Sequence, residues 1–142
     1  MIQANAVSTA QPGLFATLKS LLFSGEPIRP VRRAPNDAER RFLLDLRERA
    51  WALMDTHEIH SDAELVTVMV TGLIEPLQDL TRRVAASWSE PHLGRLTALL
   101  ADVNCGVSSF DEKLIDRDDL IDGAHGLDEL ANDLGVLARG LV

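Results

Sequence analysis

From residue 36 onward, apolar positions recur at intervals of three and four and polar residues fill the rest, the spacing that places one apolar stripe on an α-helix. Phe42, Leu43, Leu46, Ala50, Leu53, Met54 and His57 share one face of a first helix near 36–57. Leu65, Val66, Met69, Val70, Leu73, Ile74, Leu77, Leu80, Val84 and Trp88 cover about half the circumference of a second, near 61–87, which the pattern makes the central element. Leu93, Leu96, Leu100 and Val103 mark a third near 90–104, and Leu127, Leu130, Leu134, Leu137 and Leu141 a last near 126–141. Between them Phe110, Leu114 and Ile121 give a weaker stripe near 109–122, diluted by Asp116, Asp118, Asp119 and Asp122.

Punctuation supports these bounds. Asn36 with Glu39, Ser61 with Glu64 and Ser109 with Glu112 each match the reciprocal capping pattern at a helix start. Ser89 precedes Pro91, which fits a first turn because its missing amide has no partner there anyway. Gly106, Gly123 and Gly126 stand where helices should stop. Gly72 and Pro76 fall inside the second helix, where proline removes a hydrogen bond and crowds the Gly72 carbonyl, so a kink is expected. "VTVMV" has β-branched content but no second strand to pair with. The chain therefore reads as an all-α bundle of about five helices spanning 36–142.

The first 35 residues read differently. "MIQANAVSTAQPG" is small and polar and lacks the features of a secretory signal, and Leu14, Phe15, Leu18, Leu21 and Leu22 suit one short amphipathic helix ended by Gly25. "EPIRPVRRAP" follows, an extended linker in which each proline excludes its predecessor from the helical region. Residues 1–35 are thus expected to be a flexible extension.

Composition narrows the function. With 142 residues, 46% hydrophobic and 25% charged, the chain suits one soluble domain with a real core. No apolar stretch approaches the ~20 residues of a membrane-spanning helix. A single cysteine, Cys105, permits no internal disulfide and favours a reducing cytoplasm. Arginine outnumbers lysine, and Ala, Leu and Asp are abundant, a composition that suggests a GC-rich, bacterial genome. The net charge of −8 is graded, from +3 over residues 1–50 to −4 over 51–101 and −7 over 102–142. That balance and the absence of Tyr count against nucleic-acid binding, which needs clustered cations and stacking surfaces.

Three stretches invite a chemical reading. "DTHEIHSDAE" brings His57 and His60 beside carboxylates, but the histidines are three apart instead of four, no third ligand is specified, and Ser61 and Glu64 have capping work to do. A metal-dependent enzyme at this junction is the alternative to a capped turn. Cys105 has no base nearby in sequence, and "DEKLIDRDDLIDG" lacks the spacing of a calcium loop. Arg29, Arg32, Arg33, Arg40 and Arg41 form the one basic patch, suited to an acidic partner, to the chain's own acidic half, or, least of the three, to nucleic acid.

One stripe is left over. Leu44 and Trp51, seven residues apart, lie to one side of the first helix's main apolar face with Arg40 and Arg47 between them. A surrounding bundle could bury both; a tryptophan flanked by arginine is also the composition of an interface anchor. The sequence thus points to a non-enzymatic bundle that acts by binding protein, as adaptor, regulator or self-associating module. It uses Leu44, Trp51, Arg40, Arg47, Arg29, Arg32 and Arg33, and no cofactor is expected.

Overall fold

The computed structural model describes residues 31–141, and the short amphipathic segment and most of the proline-rich linker lie outside that range. The described part is helical, with one isolated parallel bridge and no strand. No helix among the described residues is long and apolar enough to cross a membrane.

Two of the expected starts form as the sequence dictates. Asn36 Oδ1 accepts from the Glu39 amide at 2.9 Å, Glu39 Oε1 accepts from the Asn36 amide at 2.9 Å, and α1 runs Asp37–Thr56. After a 3-10 turn, His57–Ile59, the same exchange between Ser61 and Glu64 opens α2, Asp62–Met69. Each exchange satisfies amides that no helical carbonyl reaches.

The distortion expected at Gly72 and Pro76 takes a specific form. Val70–Ile74 is a π-turn, and α3, Glu75–Val84, continues from it with Pro76 in its first turn, so α2 and α3 form one uninterrupted rod. Pro76 has no amide to offer the Gly72 carbonyl four residues earlier. Arg49 of α1 supplies the donor instead, Nη1 to Gly72 O at 3.1 Å.

The third and fourth expected helices are corrected. Instead of separate helices near 90–104 and 109–122, α4 runs unbroken over Glu90–Asp111, and only a six-residue α5, Arg117–Asp122, follows. Gly106 does not stop α4, and Ser109 does not begin a helix. A Cβ at Gly106 would lie 2.2 Å from the His125 carbonyl oxygen, so the glycine lets the chain cross close over α4. The turn comes at Lys113, in the left-handed region at φ 63°. Leu114, past the helix end, is consequently exposed. Asp116 caps α5 through the Asp119 amide at 2.9 Å. The chain closes with α6, Leu127–Ala138, beyond which Leu141 is also exposed. The architecture is four long helices, α1, α2–α3, α4 and α6, with α5 as a short link.

The core joins all of them: Leu43, Leu46 and Ala50 of α1, Leu73, Leu77 and Leu80 of the rod, Leu96 and Leu99 of α4, and Leu130 and Leu134 of α6. α6 lies along α1 in the most extensive helix contact of the bundle. The two run antiparallel, since Arg40 reaches Gly140 and Arg47 reaches Gly135. Ser89 precedes α4, but its hydroxyl pairs with His92 Nδ1 at 2.5 Å instead of capping the helix. His92 Nε2 then donates to the Gly140 carbonyl at 3.0 Å, tying the start of α4 to the end of α6.

The two glycines of α4 should respond oppositely to alanine. Gly106→Ala forces a methyl group onto a backbone carbonyl and should destabilise markedly, whereas Gly94→Ala, where a Cβ meets nothing within 4 Å, should be neutral or stabilising by ~0.5–1 kcal/mol. Chemical denaturation of both variants checks this; equal effects would contradict the close crossing at His125.

Candidate functional site

The basic patch is largely engaged within the chain. Arg33 pairs with Glu39 through both terminal nitrogens, at 2.7 and 3.1 Å, and Arg32 donates to the carbonyls of Trp88 at 2.8 Å and Ala85 at 3.3 Å. The Arg33 backbone bridges to the same turn, its amide to Ser87 O and its carbonyl from the Ser89 amide, each 2.8 Å. The end of the linker is therefore strapped across the α3–α4 turn. Arg29 lies outside the described residues.

The strap converges on one carboxylate. Glu39 accepts from Arg33, from the Asn36 amide and from the indole nitrogen of Trp88, the last at 2.9 Å, and Trp88 is fully buried. With the Arg33 hydrogen bond as the largest cause, the Glu39 carboxyl is held down at about 2 from an ordinary 4.5.

The HEIH junction also has a structural occupant. Arg117 of α5 donates to His57 O at 2.8 Å, His60 O at 2.9 Å and Asp62 Oδ1 at 2.6 Å. These carbonyls close α1 and the 3-10 turn, and the guanidinium fork satisfies them together. No group of three metal-ligating side chains among the described residues includes His57 or His60.

One such group does form elsewhere. Asp102 of α4 and Glu129 and Asp133 of α6 place carboxylate oxygens within 4.8 Å of one another. His125 Nδ1 stands 3.5 Å from Asp102, and Arg95 3.7 Å from Asp133. Burial raises the Asp133 carboxyl, opposed by the charge of Arg95 and reinforced by that of Asp102. Three oxygen donors suit a hard divalent cation. Partly exposed acids at this spacing are common without one, and no function rests on them here. The spacing of Glu129 and Asp133 was legible in the sequence; Asp102 enters only through the packing of α4 on α6.

The leftover stripe of α1 lies along α6. Leu44 is half-buried against the core, Arg40 Nε donates to Pro35 O at 3.1 Å, and the Arg47 guanidinium lies 4.4 Å over the Trp51 ring. Trp51 remains 43% exposed, in contrast to Trp88. On the other flank of α1 a hollow of about 260 Å³ runs past Arg49, Ala52, Leu53, Val68 and Gly72. In comparison with known proteins, the chain matches no family model, no curated sequence and no solved structure.

If Arg117 closes the junction, Arg117→Ala should destabilise by ~1.5–3 kcal/mol, the range for hydrogen bonds made by a charged group, and a chelator should leave the melting curve in place. A metal retained through dialysis, raising the melting temperature of the wild type but not of a His57→Ala/His60→Ala variant, would contradict this.

Proposed function

We propose that the chain is a non-enzymatic helical-bundle protein that works by binding another protein, as an adaptor, a regulator or a self-associating module. The binding surface is the α1 face around Trp51, with Leu44, Arg40 and Arg47. The observation that carries the reading is the state of Trp51: a large ring, nearly half exposed, held flat by the Arg47 guanidinium. A ring fixed in advance loses little conformational entropy when a partner covers it, and tryptophan and arginine dominate the centres of protein interfaces. Supporting this over an enzyme, the carbonyls of the HEIH junction are already taken by Arg117. Supporting it over a nucleic-acid reading, Arg32 and Arg33 spend their donors on the strap. A reducing bacterial cytoplasm fits the lone Cys105 and the composition.

A photocrosslinking residue placed at exposed Asp55, one helical turn from Trp51, should yield a discrete adduct in the source cells. The same residue at Leu114, which is 72% exposed but far from any arginine stack, should not. An adduct with a second copy identifies self-association, and one with another polypeptide an adaptor or regulator. Equal adduct patterns at the two positions, or none at Asp55, would overturn the proposal.

A further inference from the structure

Most guanidinium groups in the described bundle have an acceptor. Arg33, Arg82, Arg95 and Arg117 each sit beside a carboxylate, and Arg32, Arg40 and Arg49 donate to backbone carbonyls. Arg47 is different. It has no carboxylate within 4 Å among the described residues, and its Nε is buried with no hydrogen-bond partner.

A second cation converges on it. A Cβ built on Gly135 of α6 would meet Arg47 Nη1 at 3.0 Å and Arg139 Nη1 at 3.8 Å, so both guanidinium groups reach over the same helical residue. Arg139, just past the end of α6, likewise has no carboxylate partner among the described residues. Arg40 adds a third positive charge toward Gly140, its Nη2 lying 3.2 Å from the position a Cβ there would take. Like charges brought together on a partly buried surface repel, and an anion between them turns that repulsion into attraction. Swinging Arg47 away gives up its stack on Trp51, which biases the guanidinium toward this position.

Gly135 makes the arrangement purposeful. Glycine in the middle of a helix is destabilising relative to alanine, yet Gly135 is buried in α6, and what fills its missing side-chain space is the Arg47 guanidinium. Room has been cleared for a cation whose acceptor is not among the described residues.

We infer that Arg47 and Arg139, over Gly135, form a receptor for a carboxylate carried by an acidic segment of the protein partner. This rests on the protein-binding reading of Trp51 and names the chemistry of what binds there. The paired guanidinium donors suit the two oxygens of an Asp or Glu side chain. The Trp51 ring alongside suits an apolar neighbour in the same segment, which a free inorganic anion lacks.

The test titrates the full chain with a capped peptide of alternating Glu and Leu, with a Gln-Leu peptide as the uncharged control and inorganic phosphate as a separate arm. Trp51 emission and the Nε–H resonances of Arg47 and Arg139 report binding. The Glu-Leu peptide should bind saturably and weaken steeply with salt, and Arg47→Gln or Arg139→Gln should each lower its affinity at least tenfold. Arg82→Gln, at an exposed pair elsewhere, should change nothing. Arg139→Gln lies past a helix end, and an unchanged circular dichroism spectrum confirms its fold. No saturable response, equal affinity in the arginine variants, or binding by phosphate with none by peptide would overturn the inference. An Asp55 adduct that persists unchanged in Arg139→Gln would leave the protein-binding reading standing while removing the carboxylate receptor. Absence of the Asp55 adduct with Arg47, Trp51 and Arg139 all intact would remove both.

Discussion

The carboxylate of Glu39 is where the structure is tied together. One side chain closes the capping exchange that starts α1, receives the fork of Arg33 from the strap, and satisfies the indole nitrogen of a fully buried tryptophan. Each partner comes from a different part of the chain: the segment entering the bundle, the first turn of α1, and the α3–α4 turn. Removing the carboxylate would leave a buried indole N–H unsatisfied, at a greater cost than the loss of the exposed Arg33 ion pair alone. Because the strap and the α3–α4 turn are held to the start of α1, that helix is fixed at its amino-terminal end, and α6 braces it along its length. Trp51 is presented at the edge of α1 beside α6, under the Arg47 guanidinium that reaches Gly135.

The distribution of arginine acceptors gives this account its second strand. In an acidic bundle, guanidinium groups find partners readily, and three of them close places where the backbone is short of a donor: Arg49 at the π-turn, Arg117 at the HEIH junction, Arg32 at the turn bearing Trp88. Against that background, Arg47 and Arg139 stand out because they converge on each other instead of on an acceptor. The same physical rule that explains the first group, that a polar group withdrawn from water needs a partner, applies to the buried Arg47 Nε and, with the exposed Arg139 beside it, makes this place a candidate for contact with another molecule.

What the sequence made legible was local. The Asn36–Glu39 and Ser61–Glu64 exchanges act over three residues and formed as expected, as did the apolar faces of α1 and of the α2–α3 rod. Ser109 and Glu112 show the same local pattern and fail, because the fate of Gly106 is decided by the His125 carbonyl, 19 residues away. Pro76 announced a distortion, but not that it would be a π-turn, nor that Arg49 of another helix would donate to the Gly72 carbonyl. The site follows the same rule. The seven-residue spacing of Leu44 and Trp51 marked a face of α1, whereas Arg139 could join it only once α6 had packed antiparallel alongside. Arg33 reads in sequence as part of a basic patch, while its pairing with Glu39 and with the Ser87–Ser89 backbone comes only from the packing of the strap.

The dependence on Glu39 can be read directly by titrating its side-chain carboxyl by NMR while following the Trp88 indole proton. The folded value lies below the ordinary 4.5, so the carboxylate's contribution to stability is complete above that pH and is lost as pH falls toward about 2. The account predicts a midpoint near 2, or acid unfolding before it is reached, with the Trp88 N–H protected from exchange until that range. A Glu39 midpoint near 4.5 in a protein that stays folded, with the Trp88 proton exchanging freely at neutral pH, would contradict it.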